Sequence, residues 1–329
     1  EKPNVVLIMC DDLGWGDVGF NGGKKIQTPH LDEMASESLV FTRFYAASAV
    51  CSPTRASVVT GRNPYRQGIP TANKGFLKPE EYSLYEALKS VGYRTGHFGK
   101  WHLGTLTTKV KESNRGGPGS EKHYSPPWDH SVDTVFATEA KTPTYDPMIK
   151  PAGAGDKGKR RKEKKGEADK GDFRSASSKG WYPVPEGEPT APYGTHYWTG
   201  EGEMVDPESL RGDDSKLIMD HAIPFIEKSA KAETPFLSVI WFHAPHLPVV
   251  AGPEHTALYP DASGYEANYN GCVTALDEQV GRLRAKLREL GVAENTIVTF
   301  CSDNGPEGNA SAPGSAANYT GRKRSLREG

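Results

Sequence analysis

The stretch Val5-Val6-Leu7-Ile8-Met9-Cys10, followed at once by Asp11-Asp12, carries the reading of the fold. Six apolar residues without alternation suit a strand buried on both faces, as in a parallel sheet covered by helices. Working outward, Thr28-Pro29 opens a helix, with Thr28 at the N-cap and Pro29 at the first helical position. Leu39–Ala46 reads as a second strand. Ser52-Pro53 starts another helix, and Gly61 ends it. Ser83-Leu84-Tyr85-Glu86 is a capping box, and strand Tyr93–Phe98 follows. Asp213 or Asp214 caps a helix through Lys228, kinked at Pro224. Phe236–Phe242 is a very apolar strand. Tyr269, Cys272, Val273, Leu276, Val280, Leu283, Leu287 and Leu290 recur at three and four, the period of an amphipathic helix. Thr296–Cys301 is the last strand. Strands alternating with helices predict an α/β fold with a large, mainly parallel central sheet flanked by helices.

Composition narrows the function. The chain has 329 residues and a formal net charge of −2, which excludes a strongly basic nucleic-acid binder. No apolar run reaches the roughly 18–20 residues of a membrane helix. Four cysteines (Cys10, Cys51, Cys272, Cys301) are too few for a disulfide scaffold and leave the redox compartment open. Residues 150–179 form a basic, low-complexity insertion of about +6. It reads either as a solvated insertion or as an electrostatic collar for a polyanionic substrate.

Open α/β sheets bind ligands at the carboxyl ends of their strands. Four strand ends here deliver Asp11 and Asp12, then Lys100 and His102, then His243 and His246, then Asp303 and Asn304. Parallel neighbours would bring all of them to one rim. Asp11, Asp12, Asp303 and Asn304 offer oxygen ligands alone, which suits Ca²⁺ or Mg²⁺ rather than zinc. Cys51 stands at the entrance of a helix, where free N–H groups and the dipole favour an anion, and Arg55 lies one turn further in. A thiol is a poor ligand for a hard ion, so Cys51 joins such a site only if it is chemically changed.

Cys51-Ser52-Pro53-Thr54-Arg55, with Thr60-Gly61-Arg62 behind it, resembles the modification signature of the sulfatase family. Gly99-Lys100-Trp101-His102-Leu103-Gly104 is similar to the second signature. Asn4–Asp12 and Ser302-Asp303-Asn304-Gly305 are similar to its metal-binding segments, and Ala244-Pro245-His246-Leu247-Pro248 to its substrate-histidine segment. Lys323, before Leu326-Arg327-Glu328-Gly329, stands where a substrate lysine is expected. The resemblance runs from residue 3 to 329 and implies an alkaline phosphatase-like fold. It also implies a smaller C-terminal antiparallel subdomain, which is expected to be missing from residues 1–329.

The resemblance implies that a formylglycine-generating enzyme oxidises Cys51 to formylglycine, whose hydrated aldehyde attacks sulfur. It implies one Ca²⁺ or Mg²⁺ bound by Asp11, Asp12, Asp303, Asn304 and modified Cys51. Arg55 would steady the aldehyde hydrate. Lys100, His246 and Lys323 would grip sulfate oxygens, and one of them, or His246 alone, would protonate the leaving alcohol. His102 would take the proton that releases sulfate, and His243 is either a substrate contact or part of the wall. The expected reaction is hydrolysis of a sulfate ester, on a small molecule or, more specifically, a sulfated carbohydrate. The family implies a periplasmic or extracellular location. Two alternatives remain: a phosphodiesterase or phosphonate monoester hydrolase on the same fold, and a non-catalytic protein that binds sulfated glycans. The aromatic residues Trp181, Tyr182 and Tyr193–Trp198 would either stack on sugar rings or fill the core.

Overall fold

The computed structural model describes residues 2–112, 114–154, 181–262 and 264–327. Most of the basic insertion expected over 150–179 therefore lies outside the described residues. Strands are β1 (Asn4–Cys10), β2 (Arg94–Lys100), β3 (Thr134–Thr138), β4 (Ile149–Pro151), β5 (Thr190–Pro192), β6 (Tyr197–Gly200), β7 (Glu203–Met204), β8 (Phe236–Trp241) and β9 (Thr296–Ser302). The α-helices are α1 (Pro29–Ser36), α2 (Cys51–Thr60), α3 (Leu84–Lys89), α4 (Asp214–Lys231), α5 (Pro253–Thr256) and α6 (Tyr265–Glu289).

Among the described residues, seven strands form one sheet in the order β7-β6-β3-β2-β8-β1-β9. The block from β3 to β9 is parallel, and β6 and β7 extend it antiparallel. Alternation along β1 divides the core between two faces. Val6, Ile8 and Cys10 pack with Ile218, Ile226 and Leu276 of α4 and α6. Met9, with Val5 and Leu7 against it, packs with Ala56 and Val59 of α2 and Tyr85 of α3. The unbroken apolar run in the sequence reflects this double cover.

The α3 capping box forms as expected: Ser83 Oγ accepts from Glu86 N–H, and Glu86 accepts from Ser83 N–H. Asp213 caps α4 through Lys216 N–H, and the helix runs through Pro224 to Lys231. Thr28 occupies the N-cap of α1, but its hydroxyl donates to the Asp32 side chain instead of capping the helix backbone.

One expected element is corrected. Leu39–Ala46 is not a strand: a turn falls at Thr42-Arg43, and Leu39, Phe41 and Phe44 are exposed. A β-rich sequence forms a strand only with a ladder partner, and none pairs with this segment among the described residues. The aromatic segment resolves toward the core. Trp181, Tyr197 and Trp198 are buried; Tyr197 Oη donates to Asp214 and Trp198 Nε1 to Glu112. No helix among the described residues is long and apolar enough to cross a membrane.

Candidate active site

The neighbours β2, β8, β1 and β9 are parallel, so their carboxyl ends open on one rim. Of the expected strand-end residues, Asp11, Asp12, Lys100, His246, Asp303 and Asn304 meet there. Backbone bonds lock the ends together: Asp11 N–H donates to Ala244 O (3.1 Å), Asp303 N–H to Cys10 O (3.0 Å) and Phe242 N–H to Met9 O (3.0 Å). Asp12 takes the left-handed conformation, φ 68°, a strained choice for a non-glycine residue. Its amide then donates to Asp303 Oδ1 (3.2 Å).

Asp11, Asp12 and Asp303 are essentially fully buried. Three cations face them. Lys100 Nζ bonds Asp11 Oδ2. Lys323 Nζ lies 2.8 Å from Asp12 Oδ2. Arg55 Nη2 lies 3.0 Å from Asp303 Oδ2 and 3.3 Å from Asp11 Oδ2. Arg55 also donates Nη1–H to Lys100 O (3.2 Å) and lies 4.9 Å over the Trp241 ring, so both terminal nitrogens and one face of the guanidinium are held. Burial raises all three carboxyls. Against it, Lys100, Arg55 and Lys323 hold Asp11 well below the usual range. Burial prevails at Asp12, and at Asp303 burial and the Asp11 charge push the pKa up to about 7.

Cys51 is the first residue of α2 and is buried. Its thiol donates to Asp11 Oδ1 at 3.5 Å. Burial and the Asp11 charge push its pKa up to about 12, against the helix N-terminus. The unmodified thiol is therefore neutral at physiological pH, and a poor nucleophile.

His246 donates Nδ1–H to Leu247 O at 2.6 Å. Its Nε2 lone pair then faces Asp12 Oδ2 at 3.6 Å, while burial and Lys323 hold the ring well below the usual histidine range. One donor atom each from Asp11, Asp12, Cys51 and His246 lies within 4.8 Å of the others. Asn304 donates Nδ2–H to Asp12 (2.7 Å) and to Gly305 O (2.9 Å), which leaves its buried Oδ1 without a partner among the described residues. The buried carboxylates and the amide oxygen suit a hard divalent cation, whereas the imidazole nitrogen and the unmodified thiol of the same cluster suit softer ones. The oxygen donors of this cluster can hold a divalent cation.

His243 departs from expectation as a substrate contact. It is fully buried, with Nδ1 on Asp214 (2.7 Å) and Nε2 on Thr138 (2.8 Å), so neither nitrogen is free for a substrate oxygen. His102 fits better. It is nearly buried, its φ is 58°, Nε2 lies 2.6 Å from Asn73 Oδ1, and Nδ1 is buried without a partner. Burial and Lys100 keep the ring well below its usual pKa, hence neutral. Sequence reasoning missed what surrounds it: Asn73, Asn114, Arg115 and Glu139. Glu139 follows β3, so the strand-end argument, carried to Thr134–Thr138, would have found it; the loop residues had no such signal. Burial raises the Glu139 carboxyl, and Arg115 opposes that rise.

The Sulfatase family profile matches residues 3–326, and the chain belongs to that family. It is similar to N-acetylgalactosamine-6-sulfatase of Mus musculus, 30% identical over 317 residues, covering 93% of this chain and 51% of that protein. It is also similar to arylsulfatase A of Homo sapiens, 29% identical over 318 residues, covering 93% of this chain and 53% of that protein. The chain thus spans about half the length of these curated relatives. Among solved structures it is similar to Ps i-CgsB in complex with k-i-k-neocarrahexaose: TM-score 0.70, 26% identity, covering all of this chain and 64% of that one.

Proposed function

We propose that residues 1–329 form a catalytic domain, carrying a basic insertion at 150–179, that hydrolyses sulfate esters of a sulfated carbohydrate. The observation that carries this reading is the convergence of three buried carboxylates and three cations around Cys51. With all three carboxyls ionised, as a bound cation would favour, the two sets of charges balance. A divalent cation would leave an excess of positive charge, which suits an anionic ester. Asp11, Asp12, Asp303, Asn304 and residue 51 would hold Ca²⁺ or Mg²⁺, which polarises a nucleophile and a sulfate oxygen. Formylglycine at residue 51 would supply the hydroxyl nucleophile that a neutral thiol lacks.

The remaining steps belong to the side chains. Lys100, His246 and Lys323 bind the sulfate oxygens and stabilise charge that grows there in the transition state. One of these lysines, or His246 once a proton has been taken up at Nε2, gives a proton to the leaving alcohol. His102, neutral and with one nitrogen free, accepts the proton that lets sulfate depart. Arg55 keeps Asp11 and Asp303 oriented toward the cation. The carbohydrate reading rests on the amino-sugar sulfatase among the relatives and on the carrageenan-type oligosaccharide in the solved neighbour. Such a polymer is met outside the cytoplasm, so a periplasmic or extracellular enzyme matured by a formylglycine-generating enzyme follows.

The test is co-expression with that enzyme, mass measurement of the Cys51 peptide, and assay of an aryl sulfate beside an aryl phosphodiester. Aldehyde at residue 51 with preferred sulfate turnover is expected. Preferred phosphodiester turnover overturns the substrate class, and salt-sensitive glycan binding without turnover overturns the enzyme reading. Cys51→Ala should lower kcat by at least about a thousandfold. Its melting temperature should stay close to that of the parent, because a small buried side chain is exchanged for a smaller one.

A further inference from the structure

Outside the carboxylate cluster, one polar chain, buried at both ends and exposed at Asn73 between them, ends on a residue that the proposed reaction uses. We propose that Glu139 is a positioning residue: through the side chains of Asn114 and Asn73 it fixes His102 as the Nε2–H tautomer and leaves the lone pair on Nδ1. The inference rests on the reading of His102 as a proton acceptor only for its catalytic consequence.

The direction of each hydrogen bond follows from the one before. A carboxylate accepts and does not donate. The Asn114 group 2.9 Å from Glu139 Oε2 is therefore its NH₂. That same nitrogen lies 2.6 Å from the Asn73 side chain, which must present its oxygen. The Asn73 oxygen lies 2.6 Å from His102 Nε2, so Nε2 carries the hydrogen. In a neutral imidazole the other nitrogen then holds the lone pair. Nδ1 is buried and has no partner among the described residues, as a base awaiting its proton requires.

The start of the chain is firmly held. Glu139 is fully buried, and its Oε1 accepts from Arg115 Nε–H at 2.8 Å. Arg115 Nη1–H donates to Gly75 O at 2.6 Å. Glu139 O accepts the His102 amide at 3.0 Å, which ties the anchor to the residue it directs. A neutral ring is ambiguous between two tautomers, and a fixed charge two amides away removes the ambiguity.

The experiment is ¹⁵N NMR of histidine-labelled protein, with the His102 signals assigned by their loss in His102→Gln, and kinetics of the matured enzyme. The parent should show protonated Nε2 and unprotonated Nδ1. In Glu139→Gln the amide at 139 keeps its oxygen on Arg115 and turns its NH₂ to Asn114. Both asparagines then flip, and the proton moves to Nδ1. We expect kcat to fall about 100-fold, the scale of general-base catalysis, with KM within about twofold. Adding Asn73→Asp to Glu139→Gln should restore the Nε2–H signal and most of kcat, because a carboxylate at this exposed position accepts from the ring whichever way residue 114 points. A native ring protonated on Nδ1, or a Glu139→Gln ring still protonated on Nε2, overturns the proposal. An inverted tautomer with undiminished kcat supports the control by Glu139 and overturns instead the role of His102 in the reaction.

Discussion

At the scale of single residues, burial decides chemistry more than residue type does. His97 is fully buried, with Nδ1 2.7 Å from Tyr85 Oη and Nε2 without a partner. Burial, helped by Arg55, lowers its pKa to about 3. The unfolded chain binds this proton near pH 6.5, and the folded one only near pH 3. The unfolded state therefore gains protons first, and stability falls as pH drops through 6.5. The loss is about 1.4 kcal/mol per pH unit in that window. Urea unfolding from pH 7 to pH 4 should show this slope in the parent and a shallower one in His97→Gln. Equal slopes would mean that other groups carry the acid sensitivity. Cys51 follows the same rule: the helix entrance alone would favour a thiolate, and the buried carboxylate beside it reverses that.

At the scale of elements, the rim depends on how closely β2 and β8 approach. Gly99 has φ 100°, and a Cβ there would lie 2.0 Å from Trp241 O, a backbone atom of the neighbouring strand. No rotamer relieves such a contact, so β2 or β8 has to move. Lys100 is the next residue, and His102 follows two beyond it. Gly99→Ala should therefore lower stability by several kcal/mol, on the order of the larger single-residue effects. It should also cost activity beyond that loss, measured on the fraction that remains folded. A melting temperature equal to the parent's would show that the strands part easily. The β9 edge behaves differently: Ile297 is about half exposed there, whereas every residue of β8 is buried.

At the scale of the whole molecule, residues more than 300 positions apart share one charge cluster, as Asp12 and Lys323 do at 2.8 Å. A cation binding this cluster stabilises the fold by mass action, about 2.7 kcal/mol at a hundredfold excess over Kd. Added Ca²⁺ or Mg²⁺ should raise the melting temperature of the chelator-treated protein, and Asp303→Asn should abolish most of that rise. An unchanged melting temperature in the parent at millimolar ion would overturn the metal site.

The sequence by itself determined the α/β class, the helices with clear caps and periods, and the set of residues offered at strand ends. These are local matters: apolar runs, capping boxes and turn residues act within a few positions, so they are legible along the chain. The resemblance added roles that local pattern does not carry. Three things were decided by the tertiary structure. Leu39–Ala46 lacks a ladder partner among the described residues, and strand formation depends on that partner. His243 turns to Asp214 and Thr138 because α4 and β3 pack beside it. The chain from Glu139 to His102 joins two strand ends through Asn73 and Asn114, loop residues that carry no sequence signal. A side chain's type is written in the sequence, but its hydrogen-bond partners and solvent exposure arise only when distant segments pack.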